Sequence, residues 1–360
     1  MAKTHPPQMN GSPLHCVYTQ DSVASLLDSN FTLAVFTFNG QTFNGQTESA
    51  GAGVSSQNDD PRLVNTGLAR KDGCGTNEVW RSEKPVVSGT DDGVNWSENG
   101  ELLFCAVEIT ESNYDGCTAA SEAGYTKILT FLAQKNFPHI VRMWNYLADI
   151  NNDENGLERY KAFCSGRYNA FTQRYTEDQF PAACAIGHYG GALVIYLIAS
   201  KVPGTHYENP DQISAYQYPP TYGVRSPSFA RATVKSFADT TYIYVSGTAS
   251  IKGHKTLHAG DVGRQLDVTF DNIDRLLLSI AGKERISGTL NFDILKIYVR
   301  DPSDVDFVKS IASKHYQESQ FQILLGDICR SDLGVEIEGM CVIASDNVDG
   351  VSTDDEKDLP

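Results

Sequence analysis

Four stretches carry residues whose types and spacing could do chemistry. GRYNAFTQRY, Gly166–Tyr175, sets Arg167 and Arg174 seven apart, and Tyr168 and Tyr175 likewise. On a helix that spacing puts each pair on one face. Two guanidiniums on one face can clamp carboxylates through paired hydrogen bonds; a solvated helix end, where the macrodipole favours cations, accounts for the same pattern. QISAYQYPPTYGVRSPSFAR, Gln212–Arg231, joins Tyr216, Tyr218, Tyr222, Arg225 and Arg231 to Pro219, Pro220 and Pro227. Prolines stiffen a loop and lower the ordering cost of binding. Tyrosines and arginines on such a loop suit an aromatic or cyclic anion; the plainer reading is an interdomain connector. VSGTASIKGHKTLH, Val245–His258, offers Gly247 for close backbone approach and the Thr248 hydroxyl. His254 and His258 are four apart, but no carboxylate motif accompanies them, so a metal site is not expected. In ICRSDLGVEIEG, Ile328–Gly339, a strand points Val335 and Ile337 one way and Glu336 and Glu338 the other. A carboxyl facing a semi-apolar cleft has a raised pKa and can donate a proton near neutrality. A glutamate on a solvent-facing strand is the alternative.

Regular elements must position these groups. Hydrophobic spacing predicts a strand at Glu101–Ile109, a helix at Ala119–Lys135, a strand at Ile140–Leu147, a helix at Gly156–Tyr175 and a strand within Ala183–Ala199. The order repeats: strand Thr240–Ile251, helix Asp261–Ala281, strand Phe292–Val299, helix Ser303–Tyr316, then strands Phe321–Leu325 and Gly334–Ile343. The pattern is that of an α+β fold with two copies of one unit, each a mixed sheet backed by helices on one face. The open faces bury each other, which makes the cleft between copies the natural pocket. Domain limits follow: 1–205 with irregular insertions, a Pro/Tyr-rich junction at 206–227, a catalytic unit at 228–345, and an acidic tail at 346–360. Residues 39–100, dense in Gly, Asn, Asp, Ser and Thr, read as irregular.

Composition narrows the function further. The 360 residues carry a net charge of −16, which argues against nucleic acid or an anionic membrane as the main partner. An anionic substrate therefore needs a local cationic pocket. The longest apolar stretch, near Ala192–Ala199, is far short of the ~20 residues of a membrane-spanning helix. No signal-peptide pattern opens the chain, so a cytoplasmic protein is expected. The eight cysteines form no C-x-x-C pair, which argues against structural zinc, and without a secretory signal reduced thiols are expected rather than disulfides.

Together the motifs resemble those of the chorismatases. RYNAFTQRY followed by FPAACAIG, ENPDQISAYQYPPTYGVRSPSFARA, SGTASIKGHKTLHAGD and ICRSDLGVEIEG occur in family order across roughly residues 160–340. The resemblance implies two fused domains of the YjgF, or chorismate-mutase-like, type, so that one chain imitates part of that fold's trimer. Oligomeric state is not legible in the sequence itself, but the fused duplication lowers the need for a trimer, so a monomer is expected. It implies chorismate as substrate, pyruvate as one product, and no cofactor or metal. It assigns Glu336 as the acid that protonates the enol-ether methylene, with the resulting carboxylate stabilising the cation. Arg167, Arg174 and Arg231 are expected to hold the dianion, Tyr168, Tyr216 and Tyr222 to hydrogen-bond beside it, and Thr248 to contact the ring. Two positions sort the products: Ala249, after the SGT triplet, resembles the hydrolytic members, whereas Cys329, seven before the acid, resembles the 3-hydroxybenzoate formers. Water exclusion by Cys329 favours 3-hydroxybenzoate, and a mixed pair also admits some 4-hydroxybenzoate. The alternatives are hydrolysis to a dihydroxycyclohexadiene carboxylate, or a non-catalytic small-molecule binder on the same fold.

Overall fold

The computed structural model describes residues 13–40, 59–189, 191–237 and 239–344; the expected acidic tail lies outside the described residues. In chain order the first elements are β1 (His15–Thr19), α1 (Val23–Leu27), β2 (Thr32–Thr37), β3 (Leu63–Asn65), β4 (Ala69–Gly73) and β5 (Asn77–Arg81). A middle group follows: β6 (Val87–Asp91), β7 (Val94–Glu98), β8 (Leu102–Ile109), α2 (Gly116–Gln134), β9 (His139–Ala148), α3 (Arg159–Phe171), β10 (Ala182–His188) and β11 (Leu193–Ser200). The last group is β12 (Thr205–Tyr207), β13 (Ala232–Phe237), β14 (Thr240–Thr248), α4 (Val262–Glu284), β15 (Ile294–Val299), α5 (Val305–His315), β16 (Gln320–Leu325), β17 (Asp327–Ile328) and β18 (Val335–Ala344).

The duplication is explicit in the sheets. The middle sheet runs β10-β9-β11-β8-β7-β6 and the last runs β16-β15-β18-β14-β13-β12, the same order element for element. In each, the two strands joined through the second helix are parallel, and their neighbours are antiparallel. The α+β class read from the sequence is the one formed: mixed sheets with helices on one face. The number of copies differs from expectation. The first strands pair as β3-β2-β5-β1, with β2 and β3 parallel, which is the same order with the two outermost strands missing. Strands β1, β2, β3 and β5 with α1 thus form an abridged third copy rather than irregular insertions. Strands β3 to β7 also occupy much of the 39–100 stretch, although 41–58 lie outside the described residues. Their sequences hide them: β4 is ARKDG and β6 is VSGTD, edge strands without apolar alternation.

Strand pairing laces the last copy to each of the other two. β4, which follows β3, pairs with β16 of the last sheet, and β17, which follows β16, pairs with β10 of the middle sheet. Helices cover the outer faces. α4 buries Leu266, Phe270, Ile273, Leu277 and Ile280 along one stripe, each contributing roughly 1.5–3 kcal/mol. Asp261 caps its start by accepting from the Arg264 N–H at 3.0 Å. Gly166 lets α3 approach α2, since a Cβ there would lie 2.2 Å from the Thr118 carbonyl oxygen. The inner faces of all three sheets share one core that includes Phe36, Trp80, Trp144, Tyr196 and Tyr298. Trp144 and Tyr196 stack there at 5.0 Å, and the Tyr146 hydroxyl lies 3.0 and 3.1 Å from those of Tyr196 and Tyr298.

Candidate active site

A cavity of about 530 Å³ lies where the inner face of the last copy meets α3 of the middle copy. Its floor is β18 and the end of β14, its wall is the Cys329–Leu333 loop, and its roof is the loop of Tyr218, Thr221, Tyr222 and Pro227. The prolines and short 3-10 turns at Ala215–Gln217 and Pro220–Tyr222 shape that roof.

Glu336 reaches the cavity from β18 and is only 4% exposed. Burial, helped by the Glu338 carboxylate, pushes its pKa up to about 8 against the pull of Arg142 and Arg231. The carboxyl is therefore largely protonated at neutral pH, as a general acid must be. Gly247 makes room for it: a Cβ at that position would sit 1.9 Å from Glu336 Oε1. Arg231, also buried, lines the cavity and donates from Nη2 to the Tyr218 hydroxyl at 2.6 Å. Its Nε has no hydrogen-bond partner among the described residues, which leaves a donor for a ligand. Glu208 stands behind Arg231, with burial pushing its carboxyl to about 7 despite that guanidinium.

The expected site residues separate into two groups. Glu336, Cys329, Ala249, Tyr222 and Arg231 meet at the cavity. Burial, with Glu336 beside it, pushes the Cys329 thiol up to about 12. The others sit elsewhere. Arg174 is exposed and lies beyond the helix, because α3 ends at Phe171 and a turn follows; it shares no face with buried Arg167. The helix is also shorter at its start, where Asn155 and Gly156 adopt positive φ in a tight turn. Arg167 is not a wall residue. It is packed behind, over the Phe163 ring at 5.0 Å, and its charge acts on Tyr160, which lines the cavity. Tyr168 lies under the Arg225 guanidinium at 4.6 Å, and Tyr216 packs on Phe180 at 6.0 Å. The Thr248 hydroxyl donates to the Ser246 carbonyl at 2.9 Å, while its neighbours Gly247 and Ala249 line the cavity.

Several groups escaped sequence reasoning. Arg330 lines the cavity, lies 4.2 Å over the Tyr222 ring and donates to the His254 carbonyl at 2.9 Å. His254 Nδ1 in turn lies 3.1 Å from the Tyr222 hydroxyl. Lys161 and Lys255 add positive charge at the rim. The only sequence signal for Arg330 was its place beside Cys329. Glu158, paired with Lys161 at 3.4 Å, and Asp332 also line the cavity, so its two arginines and two lysines outnumber these carboxylates, and with the protonated Glu336 they can hold a small multiply charged anion and protonate it.

A family model described as "Chorismatase FkbO/Hyg5-like, N-terminal" matches residues 78–199. A 3-hydroxybenzoate synthase of Streptomyces hygroscopicus is 39% identical over 275 residues, 73% of this chain and 80% of that protein. A chorismatase of Streptomyces rapamycinicus is 38% identical over 273 residues, covering 73% of this chain and 81% of the relative. A crystal structure of a chorismatase matches with a TM-score of 0.79 at 32% identity, over 91% of this chain and 98% of that one. The chain belongs to the chorismatase family.

Proposed function

We propose that the protein converts chorismate to 3-hydroxybenzoate and pyruvate, with Glu336 as the acid. The observation that carries this reading is a buried carboxyl of pKa about 8, opening into a cavity that Arg231 and Arg330 also line. Chorismate carries two carboxylates and an enol ether. Arg231 and Arg330, with Lys161 and Lys255 at the rim, supply the counter-charge that a chain of net charge −16 must gather locally. Glu336 transfers its proton to the terminal methylene, and the enol ether becomes an oxocarbenium ion. The carboxylate left behind stabilises that cation. Capture by the substrate's own 4-hydroxyl, rather than by water, closes a cyclic ketal and returns the hydroxyl proton to Glu336; the ring's C4–O bond then breaks, the C3 proton leaves as the ring aromatises, and the hemiketal left on the 3-oxygen collapses to 3-hydroxybenzoate and pyruvate. Atoms balance without water, since chorismate divides into hydroxybenzoate and pyruvate.

The product assignment draws on Cys329, which fills volume beside the acid, and on the relative named a 3-hydroxybenzoate synthase. Ala249 at the cavity favours the second reading, hydrolysis to the diene. Incubation with chorismate followed by chromatography separates them: pyruvate with an aromatic product supports the first, and pyruvate with a non-aromatic diene supports the second. Binding without pyruvate release supports neither and returns the protein to the binder class. Glu336→Gln should retain chorismate binding and lose turnover at every pH; near-normal turnover would remove Glu336 from the mechanism.

A further inference from the structure

The inner face of β18 carries a second carboxylate. Glu336 and Glu338 are two apart on one strand, so both side chains leave the same face of the sheet. Glu336 opens to the cavity, whereas Glu338 is enclosed. Arg142 of β9 bonds and ion-pairs with it, the Trp144 indole N–H donates to it at 2.8 Å, and the Tyr298 hydroxyl at 2.7 Å. Lys296 Nζ of β15 stands 3.6 Å from Glu338 and 2.9 Å from Glu78 of β5. The chain Arg142–Glu338–Lys296–Glu78 therefore runs through all three copies, and every member is 5% exposed or less. Such buried ion networks rarely stabilise a fold more than apolar packing would, so one beside the acid calls for a role.

We propose that Glu338 is a positioning residue that keeps Glu336 protonated: its locked negative charge, on the same strand face, opposes a second one at the cavity. The inference rests on Glu336 being the acid. Burial alone would raise the Glu338 pKa, but Arg142, Lys296 and the Tyr298 hydroxyl bring it below the usual range, so it stays charged wherever the enzyme works. Arg330, Lys161, Lys255, Glu158 and Asp332 line the same cavity; the groups that act directly on Glu336 are Glu338 on its own strand, Arg142 from β9, Arg231 ahead of β13, and the thiols of Cys184 on β10 and Cys329. Both thiols are held neutral by burial. The two arginines favour the carboxylate form, and Glu338 is the charge that opposes them.

The test is pyruvate release by the full chain across pH. Glu338→Gln removes the charge and preserves the shape. Its alkaline limb in kcat/KM should move down by about one unit, lowering activity about tenfold above the limb while leaving the acid plateau within a few-fold. Glu338→Gln combined with Lys296→Met removes one charge of each sign, keeps the network neutral, and should show the same displacement. A uniform loss of kcat at every pH, with the limb in place, would mark a merely structural residue and overturn the proposal. Loss of a cooperative melt in both variants would overturn it too, by assigning Glu338 to the fold. Glu336→Gln, run alongside, separates the two ideas: its retained activity would sink the acid assignment, whereas its inactivity with an unmoved limb in the Glu338 variants sinks only the positioning role of Glu338.

Discussion

Replacing Gly247 by alanine should disable the enzyme without unfolding it. The added Cβ would meet Glu336 Oε1 at 1.9 Å, its carboxyl carbon at 2.8 Å and Cys184 Cβ at 3.1 Å. Ordinary contact begins at 3.4 Å, so the carboxyl oxygen must retreat by about 1.5 Å. The nearest obstacle is the far end of a side chain rather than backbone, and Gly247 is not among the glycines held at positive φ. The fold can therefore absorb the methyl by turning Glu336 aside. A displacement of about 1 Å in a catalytic group costs on the order of 100-fold in rate, so kcat for pyruvate release should fall by at least that factor. The melting temperature should change little, and chorismate affinity should fall much less than kcat because Arg231 and Arg330 remain in place. Wild-type kcat in a folded Gly247→Ala protein would refute the claim that this glycine exists to seat the acid.

Other outcomes follow from the same geometry. Activity requires the protonated form of Glu336, so kcat/KM should be level below about pH 8 and fall tenfold per unit above it; a profile that rises through that range would contradict an acid role. Arg231→Gln should lower kcat/KM by about 10- to 150-fold, the worth of a charge-assisted hydrogen bond, whereas Arg174→Gln, at an exposed position, should leave steady-state kinetics within about twofold. Cys329→Ala should divert product from 3-hydroxybenzoate toward the diene if the thiol excludes water. An unchanged product ratio on the chromatogram would strip Cys329 of that part.

What the sequence determined by itself was local and periodic. Apolar runs marked β8, β9, β14, β15 and β18, because each strand is buried on both faces, one against helices and the other against a neighbouring copy. The two-residue period of a strand put Glu336 and Glu338 on one face, and the ordered motifs pointed to an anion and an acid. The abridged third copy was illegible because its strands are short and partly polar, and their identity lies in pairing order rather than residue type. Arg174 was misjudged because a spacing of seven means a shared face only while the helix lasts, and α3 ends at Phe171. Thr248's donor goes to the Ser246 carbonyl, a partner chosen by backbone geometry rather than by residue type. Arg330 looked like any polar loop residue until folding laid it over Tyr222, from another part of the chain. Nor could spacing say which glutamate is an acid and which an ion. That difference comes from the strands each meets: Arg142, Trp144, Tyr298 and Lys296 converge on Glu338, while Glu336 has the cavity before it. Side-chain direction is a property of one strand, but the cost of carrying charge depends on everything packed around it, and only the assembled copies supply that.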